Sequence, residues 1–228
     1  EVGQVTFKPG GQLAAADRFV IKIKGKQTHG SQPWAGVDPV TVAAQVVLGI
    51  QTIVSRQMEL TREAAVISVG RISGGVRNNI IPEEVELEGT IRTLDVDMQN
   101  DLHERLRRTA TNIAEASGAS AEVEVVKHVP ITYNNPELVT KMGPTMKRVC
   151  GEDNVSISLA ATASEDFAFF AKEIPCFFFS LGGMTKGKDP KTVGPHHTPD
   201  FFIDESGLKL GVRVLSNLVV DYTTKIGK

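Results

Sequence analysis

The stretch Phe19-Val20-Ile21-Lys22-Ile23-Lys24 alternates its side chains with the period of two that a half-buried strand requires. The next segment, residues 25–36, is rich in Gly, Ser, Thr, Gln and Pro, which predicts a loop. Asp38-Pro39 then predicts the start of a helix, with Asp38 as the N-cap and Pro39 in the first turn. The chain therefore passes from a strand, through an open loop, into a helix.

The helix that starts at Pro39 carries more apolar residues than one buried stripe needs. Five of them keep helical spacing: Val40, Ala43, Val47, Ile50 and Val54. Three more widen the stripe beyond what packing on one sheet face requires: Val42, Val46 and Ile53. We expect two copies of the domain to associate through this helix or through a sheet edge beside it.

Four more elements complete a domain. Residues 64–70 and 85–93 are predicted strands, residues 98–117 a second amphipathic helix, and residues 121–129 a fourth strand. The order β-α-β-β-α-β is the signature of a ferredoxin-like sandwich. We predict an α/β domain of this type over residues 18–130.

Residues 131–228 differ in character. Asn134-Asn135-Pro136 breaks the chain before a predicted helix over residues 137–150, and the apolar run Cys176–Leu181 suits a strand buried on both faces. A final amphipathic helix has its apolar face marked by Leu208, Val212, Leu215, Val219 and Tyr222. A buried strand needs neighbours. We therefore predict that this region is part of a larger α/β domain whose other strands lie elsewhere.

Composition excludes several classes of function. The net charge of the 228 residues is -2, with no basic patch, so we expect neither nucleic acid nor an anionic membrane as a partner. No apolar run approaches the ~20 residues of a membrane span. Two cysteines are too few for a disulfide framework, and we expect a cytoplasmic protein.

His196-His197 is the strongest sign of a metal site in the sequence, because neutral imidazole is a common ligand of zinc and related ions. A catalytic zinc ion takes about three protein ligands, and no second ligand motif accompanies this pair. Other candidates each have a simpler explanation. His29 and Asn79 lie in predicted loops, Arg92 lies in a strand where it can be solvated, and Glu165-Asp166 can cap a helix.

Taken together, several segments resemble one family. They are residues 25–30 with Pro33 and Asp38-Pro39, residues 74–82, residues 88–93, Ser164-Glu165-Asp166-Phe167, and His197-Thr198-Pro199 with Asp204-Glu205. Their order and spacing over nearly the whole chain resemble the co-catalytic metal amidohydrolases of the aminoacylase and carboxypeptidase type. This family includes hippurate hydrolase, N-acyl-amino-acid amidohydrolase and indoleacetyl-amino-acid hydrolase.

The resemblance implies a domain organisation. In this family a ferredoxin-like lid and dimerisation domain is inserted into an α/β metallohydrolase catalytic domain. Residues 18–130 would be the lid, residues 131–228 the C-terminal portion of the catalytic domain, and residues 1–17 the end of the segment that enters the lid. The N-terminal catalytic half would be absent, so the chain alone is expected to be inactive.

Residue roles are likewise implied by the resemblance. His197 matches a ligand of a site for two divalent ions, which would be zinc, manganese, cobalt or nickel. His29 matches a lid histidine that stabilises the oxyanion, often from a partner subunit, while Asn79 and Arg92 match residues that hold the substrate carboxylate. One departure is Trp34, which stands where many relatives have His.

The expected function is metal-dependent hydrolysis of the amide bond of an N-acyl amino acid, by a homodimer that associates through the lid. Two alternatives stay open. One is a free-standing lid-type dimerisation or binding module without catalysis. The other is the same chemistry on dipeptides or on acyl-diaminopimelate. The acyl group, the amino acid and the metal are not determined by the sequence.

Overall fold

The structure, a computed structural model, describes residues 1–226, so the last two residues of the predicted region 131–228 lie outside it. The strands are β1 (Val5–Phe7), β2 (Gly10–Leu13), β3 (Ala16–Lys24), β4 (Thr28–His29), β5 (Ala65–Gly74), β6 (Ile80–Ile81), β7 (Glu84–Thr93), β8 (Ser120–Val129), β9 (Thr132–Asn134), β10 (Val155–Ile157) and β11 (Ser180–Leu181). The α-helices are α1 (Pro39–Gln57), α2 (Val96–Ala116), α3 (Pro136–Cys150), α4 (Ala168–Glu173) and α5 (Leu208–Asp221). Short 3-10 turns occur at Pro33–Ala35, Glu152–Asn154, Pro190–Thr192 and Glu205–Gly207, and a π turn occurs at Tyr222–Ile226.

The chain divides into two compact units. The larger, here called the sandwich unit, contains Leu13–Thr132 together with Ala161–Phe169. The smaller contains Glu1–Gln12, Tyr133–Ala160 and the described residues from Phe170 onward. Because it holds the first and the last described residues, we call it the terminal unit.

The sandwich unit has the predicted ferredoxin-like arrangement. Its elements follow one another as β3-α1-β5-β7-α2-β8, and the strands lie side by side in the order β5-β7-β3-β8. All three strand pairings are antiparallel, with Phe19 opposite Gly89 on one side and Val125 on the other. The inward side chains of β3, namely Phe19, Ile21 and Ile23, are fully buried.

Each helix of the sandwich unit starts at an aspartate. The side chain of Asp38 accepts a hydrogen bond of 2.9 Å from the Val40 amide, which confirms the predicted N-cap of α1. Asp95 accepts a hydrogen bond of 2.9 Å from the Met98 amide. The second helix therefore starts at Val96, two residues earlier than predicted, because the first helical turn follows this cap.

The three apolar residues assigned to an interface belong to the core instead. Val42, Val46 and Ile53 are at most 2% exposed. The prediction was wrong because α1 packs against α2 as well as against the sheet, so it needs a wide apolar face. The outward side of α1 carries other apolar residues, of which Val40 is 48% and Leu48 70% exposed.

Among the described helices, α1 is long and apolar enough to cross a membrane, with a mean hydropathy of 1.2 over its window. The core helix of a folded domain has the same composition. Its buried residues, 33% of that stretch, contribute to the core of the sandwich unit.

The terminal unit is built on a small sheet of three short strands. β1 lies between β10, to which it is parallel, and β11, to which it is antiparallel. α3 and α5 pack against each other, and the side chain of Asn135 caps α3 through the Leu138 amide at 2.9 Å. The buried core consists of Val5, Phe7, Val139, Met146, Val149 and Val214.

Two predictions for the terminal region are wrong. Of the run Cys176–Leu181 only Ser180 and Leu181 form a strand, and the pairing is antiparallel at the side of a small sheet rather than between covering layers. The Glu165-Asp166 pair does not start a helix, since α4 begins at Ala168. The predicted final helix is confirmed as α5, and its apolar positions face solvent, with exposures of 48–66% for Leu208, Val212, Leu215, Val219 and Tyr222.

Candidate functional site

His29 and Asn79 are held together by a short two-stranded ladder. β4 pairs with β6, so that His29 lies opposite Ile80, and the Gly30 amide donates a hydrogen bond of 2.8 Å to the Asn79 carbonyl. A Cβ atom at Gly30 would lie 3.1 Å from that carbonyl oxygen, so glycine permits this close approach. His29, assigned to the oxyanion, and Asn79, assigned to the substrate carboxylate, are thus neighbours.

The hydrogen bonds of His29 define which of its ring nitrogens is free. Nδ1 accepts from the Ser31 amide at 3.1 Å, and the Ser31 hydroxyl lies 2.7 Å from the same atom. An Nδ1 that accepts from a backbone N–H leaves the proton of the neutral ring on Nε2. The exposed side chain of His29 therefore presents an N–H donor, which is the group that stabilises a developing oxyanion.

Trp34 stands in the same loop as His29. The Gln32 amide donates a hydrogen bond of 2.8 Å to the His29 carbonyl. The 3-10 turn Pro33–Ala35 begins at the next residue. The Trp34 side chain is 81% exposed. A large apolar ring is therefore available beside the His29 donor.

Arg92 lies near the end of β7, on the face of the sheet opposite the helices. It helps to line a cavity of about 540 Å³ together with Arg18, Arg71, Glu88 and His128. Arg92 Nη1 donates to the Thr90 hydroxyl and, at 2.9 Å, to the Ile91 carbonyl. Within residues 1–226 no carboxylate forms an ion pair with Arg92.

The other two arginines of this cavity are neutralised. Glu88 accepts from Arg18 Nε at 2.6 Å and from Arg71 Nε at 3.0 Å, and Arg71 also pairs with Glu86. The hydrogen bond from Arg18 lowers the pKa of the Glu88 carboxyl, the bond from Arg71 acts in the same direction, and desolvation opposes both. Glu88 therefore stays ionised, and Arg92 is left as the cation of the cavity that is available to an anionic ligand.

The structure does not bring Asn79 and Arg92 together. The Gly25 amide bonds to the Glu83 carbonyl, which places the loop of His29 and Asn79 at the start of β7. Arg92 lies near the other end of this strand, at a distance of roughly 25 Å from its start by the rise of an extended chain. The two residues assigned to the substrate carboxylate thus lie at opposite ends of one sheet.

His197 lies in the long loop before α5, in the terminal unit. It is the non-glycine residue among residues 1–226 with positive φ, at 66°, and its side chain is exposed. Left-handed backbone costs a non-glycine residue roughly 1 kcal/mol or more, and such conformations concentrate at functional sites. Its neighbour His196 packs its ring edge against Phe201, with ring centroids 4.7 Å apart.

The described chain does not assemble a complete metal site. Among residues 1–226 no group of three or more His, Cys, Asp or Glu side chains could hold a metal ion. An exposed imidazole such as His197 fits the role of one ligand. Glu165 is half-buried, and its backbone carbonyl accepts a hydrogen bond of 3.1 Å from the Ala168 amide. This contact does not involve the carboxylate, to which we assign no role.

Sequence reasoning missed a buried polar cluster near the cavity. Asp17 is 2% exposed, and its Oδ2 accepts from Gln99 Nε2 at 2.8 Å and from His103 Nε2 at 2.7 Å. The carbonyl of Asp17 accepts from the Thr90 hydroxyl at 3.1 Å. An aspartate at an inward position of a strand was the available signal, because such a position ordinarily holds an apolar residue.

Comparison with known proteins finds relatives that match most of this chain. Residues 15–118 match the profile of the peptidase dimerisation domain. The B. subtilis protein YXEP, described as a dinuclear metal binding peptidase from the M20 family, superposes with a TM-score of 0.77 at 28% identity, over 98% of this chain and 54% of that one. The sandwich unit thus matches a peptidase dimerisation domain, and the chain is similar in sequence and fold to an M20 peptidase. A further structure, an aminohydrolase of methicillin-resistant Staphylococcus aureus, matches this chain with a TM-score of 0.90 at 29% identity, over 97% of this chain and 56% of the other.

Two curated relatives illustrate the range of named activities. Thermostable carboxypeptidase 2 of Saccharolobus solfataricus is 33% identical over 98% of this chain and 56% of its own length. N-acetylcysteine deacetylase of Bacillus subtilis is 33% identical over 96% of the chain and 55% of its own length. The chain thus spans about half the length of the curated relatives it matches.

Proposed function

We propose that this chain is the lid and the C-terminal portion of the catalytic domain of an M20 hydrolase that cleaves the amide bond of N-acyl amino acids. The sandwich unit corresponds to the lid predicted for residues 18–130. The terminal unit corresponds to the catalytic portion predicted for residues 131–228, with residues 1–17 leading into the lid. The observation that carries the proposal is Arg92, a cavity arginine with no acidic partner among the described residues.

The geometry of Arg92 suits a substrate carboxylate. A guanidinium pairs with a carboxylate through two parallel hydrogen bonds, and the neutralised Arg18 and Arg71 do not compete for it. An N-acyl amino acid carries one such carboxylate beside its amide bond. Both N-acetylcysteine deacetylase and thermostable carboxypeptidase 2 are named for substrates with this grouping, which supports the assignment.

The metal would be held partly by His197, with the remaining ligands supplied by sequence that corresponds to the unmatched part of the relatives. Two divalent ions, when bound, would polarise the scissile carbonyl and supply hydroxide. Zinc, manganese, cobalt and nickel are all compatible with an imidazole ligand. We therefore expect the 228-residue chain alone to be catalytically inert.

His29 and Asn79 would act on the substrate held by another subunit. Since they lie at the opposite end of the sheet from Arg92, one lid cannot bring all three to one substrate. The Nε2–H of His29 would stabilise the oxyanion, and the Asn79 amide would add a donor beside it. A homodimer supplies both ends of the sheet to each site.

The outer side of α1 is the proposed dimer surface. Its exposed residues include Val40, Thr41, Ala44, Leu48 and Gln51, and Arg56 near the end is the helix's single charged residue. Interfaces are depleted of charge in their centres, whereas solvated helices are not. α2 shows the contrast, with Asp97, Asp101, Glu104, Arg105, Arg107, Arg108 and Glu115 along its length.

A lid-type dimerisation module without catalysis is the second candidate. Its support is that the sandwich unit has a core of its own and that the family match covers this unit alone. Hydrolysis of dipeptides or of acyl-diaminopimelate would leave the role of Arg92 unchanged. We also propose a cytoplasmic location, in keeping with the free thiols of Cys150 and Cys176.

The test is a hydrolysis assay of the enzyme that carries this chain, with N-acetyl amino acids and their amides as paired substrates. Arg92→Lys keeps the charge but loses the planar fork, so we expect a loss of about 1–3 kcal/mol in transition-state binding for the acids and little change for the amides. Arg18→Lys is the matched control, because Arg18 lines the same cavity but is paired with Glu88. Equal losses on acids and amides would contradict the proposed role of Arg92, and no hydrolysis of either would favour the binding module.

A further inference from the structure

Arg92 is anchored through one of its three nitrogens. Nη1 carries two hydrogens, and it donates to two acceptors, the Thr90 hydroxyl and the Ile91 carbonyl. Nε and Nη2 have no acceptor among residues 1–226. The edge of the guanidinium formed by Nε and Nη2 is therefore free to donate two parallel hydrogen bonds.

The Thr90 hydroxyl can accept from Arg92 because its own hydrogen is committed elsewhere. A hydroxyl has one hydrogen to donate and two lone pairs to accept with. Thr90 donates that hydrogen to the Asp17 carbonyl at 3.1 Å. This donation fixes the rotation of the hydroxyl, while the Thr90 oxygen accepts from Nη1.

The Asp17 carbonyl is itself held in place. The Asp17 side chain is buried and bonded to Gln99 and His103 of α2, at 2.8 and 2.7 Å. A continuous set of contacts thus runs from α2 through Asp17 and Thr90 to Arg92. Nothing in this set depends on a ligand.

We propose that Thr90 is a positioning residue that orients the Arg92 guanidinium so that a carboxylate binds side-on, at the Nε and Nη2 edge. This inference rests on the proposed function in one respect, namely that Arg92 binds a carboxylate at all. The ordering of Arg92 by Thr90 does not rest on it. Thr90 itself touches no substrate in this arrangement.

The chain offers matched variants for the test. Thr90→Val removes the hydroxyl and keeps the shape, while Thr90→Ser keeps the hydroxyl. Thr93→Val is the control for the same chemical change on the same strand, because the Thr93 hydroxyl is fully buried and bonds to nothing in the described residues. We expect Thr93→Val to leave Arg92 unaffected.

The first measurement is the order of the Arg92 side chain in the 228-residue chain, from the ¹⁵N relaxation of its Nε–H group, with Arg92→Lys to assign the signal. We expect a rigid signal in the unaltered chain, in Thr90→Ser and in Thr93→Val, and a mobile one in Thr90→Val. The second measurement is titration with N-acetylglycine and with its amide. The acid should bind about tenfold more weakly to Thr90→Val, a loss of about 1.4 kcal/mol, with less than a twofold change in Thr90→Ser.

The two measurements separate the inference from the proposed function. An Arg92 signal as rigid in Thr90→Val as in the unaltered chain would overturn the positioning role, whatever the titration shows. Mobility gained in Thr90→Val but equal binding of acid and amide to the unaltered chain would support the positioning role and count against a carboxylate ligand. If Thr90→Val fails to fold, Thr90→Ala takes its place, measured where its urea midpoint equals that of the unaltered chain. The Arg92 side chain must then be more mobile in Thr90→Ala, and unchanged mobility would overturn the inference.

Discussion

The sandwich unit and the terminal unit differ in how much of their apolar surface is covered. Within residues 1–226 the sandwich core includes 19 buried residues, whereas the terminal core has six. α1 buries six residues and α5 buries two, although both helices are rich in apolar residues. An amphipathic pattern therefore shows that a helix has an apolar face, and only the neighbouring elements decide whether that face is covered.

The most severe test of this comparison is on α1. Val46→Glu would place a charge in a site with no exposure, and we expect it to destabilise the sandwich unit by about 4 kcal/mol or more in urea unfolding. Leu48→Glu lies one half-turn away at 70% exposure and should change stability by less than about 0.5 kcal/mol.

The variants Val46→Glu and Leu48→Glu also distinguish an effect on folding from an effect on dimerisation. Leu48→Glu should weaken the dimer measured by light scattering, because it brings a charge to the proposed interface. A folded Val46→Glu would contradict the assignment of this residue to the core. A dimer unaffected by Leu48→Glu, or an unaltered protein that is monomeric at high concentration, would contradict the proposed surface.

The terminal unit offers a matched pair of valines on α5. Val214 is fully buried, while Val212 is 66% exposed. Val214→Ala should lower the free energy of unfolding by about 2 kcal/mol, through the methyl groups lost and the cavity left behind. Val212→Ala should have little effect in the 228-residue chain. A comparable loss for Val212→Ala would mean that this face of α5 is covered in solution.

The sequence predicted the sandwich unit well because its information is local. Four strands with period two and two amphipathic helices, the first with an aspartate cap, together allow few arrangements, and the observed order is one of them. In the terminal unit the run Cys176–Leu181 resembled a buried strand because composition does not reveal the number of neighbouring strands. For the same reason the correctly predicted helix α5 gave no information on whether its apolar face is covered.

The candidate site could be predicted only in part. Motif resemblance selected His29, Asn79 and Arg92, but it carries no distances, and so it grouped Asn79 with Arg92. The pairing of β4 with β6 and the length of β7 separate them. Spacing places Thr90 and Arg92 on one face of β7, but their hydrogen bond depends on the rotamers of both side chains, which spacing does not give.

Cysteine labelling can compare how readily each of the two units unfolds and exposes a buried thiol. Both cysteines of the chain, Cys150 and Cys176, lie in the terminal unit, and burial raises the pKa of each thiol. Native thiols should therefore react slowly, and reaction should follow opening. For the sandwich unit, Ala110→Cys in a chain with both natural cysteines replaced places a thiol at a fully buried site of α2.

At moderate urea we expect Cys176 to react at least tenfold faster than the thiol of Ala110→Cys, a difference of about 1.4 kcal/mol in opening free energy. Limited proteolysis in the same urea should leave a resistant fragment near residues 18–130. Equal labelling rates would show that the two units open together, and the contrast between their cores would then have no consequence for stability.

The smallest expected effect concerns the ion pairs of the two units. In the sandwich unit Glu88 of β7 joins Arg18 of β3 and Arg71 of β5, so one carboxylate links three strands. In the terminal unit Glu152 pairs with Lys147, which is close in sequence, at 2.9 Å. Glu152 is exposed and Glu88 is partly exposed, so each contribution should be small and should weaken in salt.

The sign of the pH dependence follows from the pKa of Glu88, which its hydrogen bond from Arg18 lowers below the ordinary value of 4.5. A lowered folded-state pKa gives a stabilisation that is fully present above 4.5 and is lost as the pH falls through the folded-state value. Glu88→Gln should thus lower the urea midpoint of the sandwich unit at pH 6 and cease to do so at acid pH. Glu152→Gln, whose pKa is lowered by Lys147, should show the same dependence with a smaller amplitude, since its partner is nearly fixed by the chain itself. If Glu152→Gln had the larger effect at pH 6, long-range ion pairing would not distinguish the sandwich unit, and its greater stability would rest on apolar packing alone.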